Sequence, residues 1–262
     1  LAYWAAVYLG TALSLIVCRR AIAVSDYARR SAGGALLRLV GGRIIVVPHG
    51  VGPIFSPPDG ASGRENFLLS VSDIYVQKNL KNLLYAVARL RAGHPDITLK
   101  IAGRPIDAHY FASLKRRVRR DGLEGCVEFL GHVPPEKLVE LYRRCAVFVF
   151  PSSVETFGNP LVEAMACGAP IASSNSAAMP EVLGDAAAYF DPADINDMAG
   201  VLDGLLNDAG WRRDLGEKAL VRARDFSWQQ TAARTLEVLK QAAAPQRSGL
   251  SRAATAAANG CG

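Results

Sequence analysis

The chain has 262 residues, half of them apolar and 21% charged, with 30 Lys plus Arg against 24 Asp plus Glu and a net charge of +6. This excludes a disordered chain and predicts one or two domains with a core large enough to stand without disulfide or metal. Five cysteines, an odd number with no C-x-x-C pair, argue against a disulfide scaffold or zinc site and suit a reducing cytosol.

Residues 1–18 carry no charge and are followed by Arg19 and Arg20. That length is the lower edge of a membrane span. Without a basic n-region it is no ordinary signal peptide. The reading is a helix buried in or docked on the protein, at the start of a piece cut from something longer. Eight short apolar runs then follow: 21–25, 44–48, 67–72, 98–103, 127–131, 146–151, 170–174 and 187–191. They are continuous rather than alternating, as strands covered on both faces require. Amphipathic stretches separate the later ones: 79–92 with Asn79 as N-cap, 109–121, 135–145, 160–167 and 194–207. Two more helices are expected at 210–224 and 227–244, the second capped by Ser227. Repeated strand–helix units predict an α/β fold with a doubly wound, mainly parallel, Rossmann-like sheet. Such sheets bind ligands outside the carboxyl ends of their strands.

The expected organisation is a first unit at 1–50, a turn-rich linker at 51–66, a main domain at 67–226, a closing helix at 227–244 and a disordered tail at 245–262. Lys115, Arg116, Arg117, Arg119 and Arg120 form the densest basic block. It reads first as a solvated helix face and second as a surface for anionic lipid. No nucleic-acid-binding signature accompanies it, so no nucleic-acid partner is expected.

The chemistry concentrates in residues 151–170, PSSVETFGNPLVEAMACGAP. A buried strand ends, a polar turn follows, and Asn159–Pro160 opens a helix with Pro at its first position. The N–H groups of Gly158, Leu161 and Val162 would point out of that helix start and, with its dipole, form an anion site. Glu155 and Glu163 flank it with E-x7-E spacing. Carboxylates accept from vicinal hydroxyls, so the pair suits a nucleotide sugar, one acid on a ribose and one on the second sugar. The spacing alone is equally that of two surface glutamates on a capped helix.

The segment resembles the E-x7-E motif of retaining glycosyltransferases of family GT4, which have the GT-B fold. FLLSVSDIYVQKNLKNLLYAV, TLKIAG, VEFLGHVPPEKLVELYRRC and FSWQQTAARTLEVL resemble further units of the same family, and the likeness runs from about residue 44 to 240. AIAVSDYARR followed by IIVVPHGV resembles the crossover from the N-terminal, acceptor-binding domain, of which 1–50 would be a remnant. The resemblance implies metal-independent transfer of a sugar, with retention, from a UDP- or GDP-sugar to a saccharide or lipid-linked acceptor. No cofactor is implied. The setting implied is cytoplasmic, at or near the cytoplasmic face of the inner membrane, with peripheral membrane contact as a softer expectation.

It also implies roles. Glu155 would contact the transferred sugar near the reacting centre, and Glu163 would hold the donor ribose. Lys78 would pair with the diphosphate. Backbone at Phe157, Gly158, Asn159, Leu161 and Val162 would hold diphosphate and sugar. Gly131, His132 and Val133 would border the base, and Gly103 and Arg104 would face the same crevice. The sequence departs from the family at Asp73, where an Arg is usual, at Gln77, which supplies no second cation, and at His49, where the crossover usually has Asn. His49 is expected to bond backbone in the linker, and His94, His109 and His132 to be plain surface residues. Two other readings stay open: a truncated nucleotide-binding module without turnover, and a glycosidase using Glu155 and Glu163 as acid and base.

Overall fold

The computed structural model describes residues 2–33, 40–58, 60 and 63–244. The expected tail at 245–262, with Cys261, lies outside them. The eight apolar runs are the eight strands: β1 (Ala21–Ala23), β2 (Ile44–Val46), β3 (Glu65–Val71), β4 (Thr98–Ala102), β5 (Val127–Gly131), β6 (Cys145–Phe150), β7 (Ile171–Ser174) and β8 (Ala188–Phe190). β3 begins two residues inside the expected linker, where Arg144 reaches back to Glu65. The helices are α1 (Ala2–Val17), α2 (Asp26–Gly33), α3 (Leu80–Leu90), α4 (Ala108–Arg120), α5 (Pro135–Arg144), α6 (Asn159–Ala166), α7 (Met179–Leu183), α8 (Ile195–Asn207), α9 (Ala209–Ala223) and α10 (Trp228–Ala243). The short α2 and α7 have no counterpart in the sequence reading.

β1 and β2 form a small parallel sheet, and the other six strands form one parallel sheet in the order β5-β4-β3-β6-β7-β8. The order runs outward from β3 in one direction and from β6 in the other. β3 and β6 therefore flank the topological switch point, where crossover loops part and leave a crevice. One face of the sheet is covered by α3, α4 and α8 through Leu83, Leu84, Val87, Leu114, Val118, Met198 and Leu202. The other is covered by α5, α6, α7 and α9 through Tyr142, Leu161, Met165, Val182 and Ala219. With both faces dry, β6 is buried along its whole length, and continuous apolar runs follow from that. Cys145 and Cys167 lie in this core, and burial pushes both thiols up to about 12.

α1 docks as expected, through its C-terminal end. Among its described side chains only Leu15 enters a core cluster, with Ala23, Val40 and Ile44, while Val7, Leu9, Leu13, Ile16 and Val17 are exposed. Among the described residues no helix is long and apolar enough to cross a membrane.

The crossover is fixed to α10. The Val51 N–H donates to the Phe226 carbonyl at 3.2 Å and the Thr231 hydroxyl to the Pro48 carbonyl at 2.8 Å. Gly50 is required here: a Cβ would lie 2.1 Å from the Trp228 backbone nitrogen. Ser227 caps α10 as expected, its hydroxyl accepting from the Gln230 N–H at 3.2 Å. Asn79 stands at the start of α3 but does not cap it. Its backbone is left-handed (φ 53°) and its side chain donates to the Pro192 carbonyl at 2.8 Å. The nearby segment before α8 takes the amide that local capping would have used.

Candidate active site

The loops leaving β3 and β6 meet over the switch point. The Ser153 N–H and hydroxyl both reach the Gln77 carbonyl, at 3.0 and 3.1 Å. Beside that tie Lys78 donates to Glu155 Oε1 at 2.5 Å, and both side chains are largely buried. Two residues 77 apart in sequence are thus one charge-compensated unit at the carboxyl ends of the central strands. Lys78 also sits 5.1 Å from the Tyr75 ring centroid and 5.9 Å from that of Phe150, a dry aromatic wall that confines the ammonium.

The turn from Glu155 into α6 follows from Gly158, whose φ of +87° L-residues rarely adopt. A Cβ there would lie 2.9 Å from Leu161 Cδ1. α6 begins at Asn159, so Pro160 occupies the second helical position, one later than expected. Its missing N–H is still one of the orphans of a helix start. No side chain caps α6, and among the described residues the N–H groups of Phe157, Gly158 and Asn159 have no partner. The Leu161 N–H, expected to be free, is engaged by the Gly158 carbonyl at 2.9 Å, because the first turn tightens around the left-handed glycine. The side chains of Phe157, Leu161 and Val162 are buried, so these residues offer only backbone to the crevice. Ser152 is also buried, and its hydroxyl has no partner among the described residues.

Glu163 lies one turn into α6. It accepts from the Tyr142 hydroxyl at 3.0 Å. Burial pushes its carboxyl above the ordinary glutamate range, and the phenol bond only partly opposes that. Burial, with Glu163 beside it, likewise holds the Tyr142 phenol well above its usual range. The sequence reading missed Tyr142. The signal was a phenol on the apolar face of an amphipathic helix, which needs a polar partner when buried.

Asp73 is explained by Arg104. It accepts from the Arg104 N–H at 3.1 Å, Nε at 3.2 Å and Nη2 at 2.9 Å. The side-chain bonds from Arg104 hold the Asp73 carboxyl below its ordinary range. The acid at the unusual position is therefore neutralised within its own loop pair. Arg104 is committed to Asp73 as half of an ion pair. Gly103 joins three loops, its N–H donating to the Gly131 carbonyl at 2.7 Å. His132 is exposed, and with Val133 it lines a cavity of about 320 Å³ together with Phe67, Lys100, Leu130 and Leu141. That lining includes none of Lys78, Glu155 or Glu163. The structure thus gathers Lys78, Glu155 and the 157–159 turn at one place, and sets His132 and Val133 around a separate hollow beside α5.

Two histidines differ from expectation. His49 Nδ1 lies 2.9 Å from Asn159 Oδ1, and its ring stacks on Trp228 at 5.8 Å and packs on Phe157 at 5.2 Å. Its partner is thus a side chain at the start of α6, because the crossover runs directly past that helix end. His94 pairs with Asp203 at 2.8 Å and is mostly covered.

The family model for glycosyl transferases group 1 matches residues 54–222. The chain belongs to this family. The group 1 domain is similar to O-antigen chain mannosyltransferase B of Escherichia coli, 34% identical over 180 residues, covering 67% of this chain and 46% of that protein. It is also similar to the MMP alpha-(1->4)-mannosyltransferase of Mycolicibacterium hassiacum, 33% identical over 204 residues, covering 76% and 48%. The chain thus spans about half the length of these relatives. Among solved structures, Anabaena Alr3699/HepE in complex with UDP and glucose superposes with a TM-score of 0.78 at 20% identity, covering 88% of this chain and 66% of that one. Sucrose-phosphate synthase from Thermosynechococcus elongatus superposes at 0.75 with 24% identity, covering 88% and 61%. These likenesses carry the GT-B type of fold expected from the sequence.

Proposed function

We propose that this group 1 domain is the donor-binding half of a metal-independent, retaining glycosyltransferase. Its donor is a nucleoside-diphosphate sugar and its acceptor a saccharide or lipid-linked saccharide. The observation that carries the reading is the Lys78–Glu155 pair, set beside the free amides of Phe157, Gly158 and Asn159 at the switch point. A diphosphate entering there takes Lys78 as its counter-ion and accepts from the α6 amides. Glu155, relieved of its partner, accepts from hydroxyls of the sugar. Glu163 accepts from the ribose. As the glycosidic bond to phosphate breaks, negative charge grows on the diphosphate, where fixed N–H groups and Lys78 stabilise it. The names of the mannosyltransferase relatives and the UDP and glucose in the Anabaena complex support a nucleotide-activated hexose. A glycosidase is disfavoured, since Lys78 engages one carboxyl and Tyr142 the other. Alone, these 262 residues bind donor without transferring it.

Thermal unfolding with UDP, GDP and ADP, each at about 100 times its Kd, tests this. Binding at that ratio stabilises by about 2.7 kcal/mol, a rise of roughly 5–10 °C for a domain of this size. One nucleotide should raise the midpoint and the others should not. No shift with any of them would count against the reading.

With a lipid-linked acceptor the enzyme would work at an anionic membrane surface on the cytoplasmic side, and α3 and α4 suit that contact. They carry seven cations, Lys81, Arg89, Lys115, Arg116, Arg117, Arg119 and Arg120, and no acidic residue; Asp121, just past α4, pairs with Arg117 and Arg120 and leaves five without an acidic partner among the described residues. Val76 and Ile106, in the loops that enter the two helices, are exposed. The chain should sediment with phosphatidylglycerol-containing vesicles and be released by salt. Equal sedimentation with pure phosphatidylcholine would sink the contact.

A further inference from the structure

Ser25 and Glu181 lie outside the E-x7-E segment, yet both are spent on the turn that carries Glu155. Ser25 is 1% exposed. Its oxygen accepts from the Ala28 N–H at 2.9 Å, which makes it the N-cap of α2. Its proton goes to the Thr156 carbonyl at 2.5 Å. One hydroxyl therefore starts a helix in the 1–50 unit and holds the residue after Glu155.

Glu181 completes the clamp from the opposite side. Its two carboxylate oxygens accept from the Asp26 and Tyr27 N–H groups, at 2.6 and 2.9 Å. These are orphan donors of the first turn of α2, and a carboxylate is the partner a helix start favours. Glu181 stands on α7, which Arg222 fixes through the Glu181 and Val182 carbonyls at 2.8 and 3.0 Å. The N-cap of α7 is Ala178, whose N–H donates to the Glu155 carbonyl at 3.3 Å. Ala177, just before it, is held in a left-handed conformation (φ 54°), which alanine adopts only when its surroundings over-determine it. The carbonyls of Glu155 and Thr156 are thus tied to two elements that Glu181 joins.

We propose that Ser25 and Glu181 are positioning residues of the donor site. They lock the Glu155–Thr156 turn to helix α2, so that the turn presents Glu155 and the 157–159 amides to donor only while the 1–50 unit is seated. This rests on the donor-binding reading above and adds to it the coupling between the two units. The two fail separately in the test.

The test uses Ser25→Ala, Ser25→Thr and Glu181→Gln in the 262-residue chain. Two readouts are taken: hydrogen exchange of the Ser153 and Ala178 amides, which donate to the Gln77 and Glu155 carbonyls and so report on the turn, and titration calorimetry with the nucleotide that stabilises wild type. Ser25→Ala removes both bonds and Glu181→Gln replaces a two-oxygen acceptor by one. Each should raise exchange at Ser153 and Ala178 and weaken the nucleotide about tenfold. The exchange of β3 and β6, which reports global stability, should stay unchanged. Ser25→Thr keeps the hydroxyl and should restore both readouts. Unaltered exchange at Ser153 and Ala178, or a rise there matched in β3 and β6, would overturn the proposal. So would altered exchange with unchanged affinity. If wild type binds no nucleotide, the donor reading falls and the clamp is judged on exchange alone.

Discussion

Replacing Glu163 by alanine should abolish the nucleotide response of this domain. Two hydroxyl bonds to a buried carboxylate are lost, about 3 kcal/mol, or roughly 100-fold in Kd. The same change strands the Tyr142 hydroxyl, which is fully buried, at a further cost of about 1–3 kcal/mol in stability. Glu163→Gln separates the two effects. The amide oxygen still accepts from Tyr142, so the fold is spared while the charge on the ribose is lost. The pH dependence follows from burial, which raises the Glu163 carboxyl above the ordinary glutamate range. A raised acid favours its protonated form on folding. Its contribution to stability is therefore largest at low pH and falls as pH rises from the unfolded to the folded value. Donor hydroxyls need the ionised form, so affinity should fall on acidification at a pH above that of an ordinary glutamate. The difference in Kd between wild type and Glu163→Gln, from about pH 4 to 7, isolates this titration from that of the nucleotide. A constant difference across the range would contradict it.

Gly103→Ala should be the most damaging single change to the fold around the site. Gly103 has φ +151°, and a Cβ there would lie 1.8 Å from the Ser72 carbonyl oxygen and 2.4 Å from its carbon. Both are backbone atoms, so no rotamer relieves the overlap. Ser72 cannot retreat freely, because its N–H donates to the Ala102 carbonyl at 2.9 Å. The expected loss is at least about 3 kcal/mol, a fall of roughly 6–12 °C. The nucleotide response should go with it, since the Asp73–Lys78 loop must move. Gly125→Ala is the control: a Cβ there meets nothing within 4 Å, and its midpoint should match wild type. An unfolding midpoint for Gly103→Ala equal to that control would refute the argument.

The legible parts of the fold share one cause. Strands buried on both faces need unbroken apolar runs, and all eight were readable, β6 most plainly. Long amphipathic helices were readable for the same reason, their buried faces recurring at helical spacing. α2 and α7 were not, being eight and five residues long, too short to be stable by propensity. Glu181 supplies acceptors for the N–H groups of α2 from another element, and Arg222 supplies donors for the carbonyls of α7. Asn79 failed as a cap for a related reason: capping signals assume the side chain has no better partner, and the Pro192 carbonyl is one.

The candidate site divides along the same line. Glu155, Gly158 and Glu163 stand within nine consecutive residues, so strand, turn and helix order them locally, and a glycine before Asn-Pro suffices to aim the helix start. The sequence by itself determined that arrangement, and with it the parallel sheet that puts the turn at a strand's carboxyl end. Which charges meet there was decided only by tertiary structure. The strand order brings the β3 and β6 loops together, so Lys78 finds Glu155 and Asp73 finds Arg104. Hydrophobic burial and backbone geometry are written in spacing along the chain. Ion pairs and buried hydrogen bonds depend on separations of a few ångströms, which the packing of the whole sheet fixes.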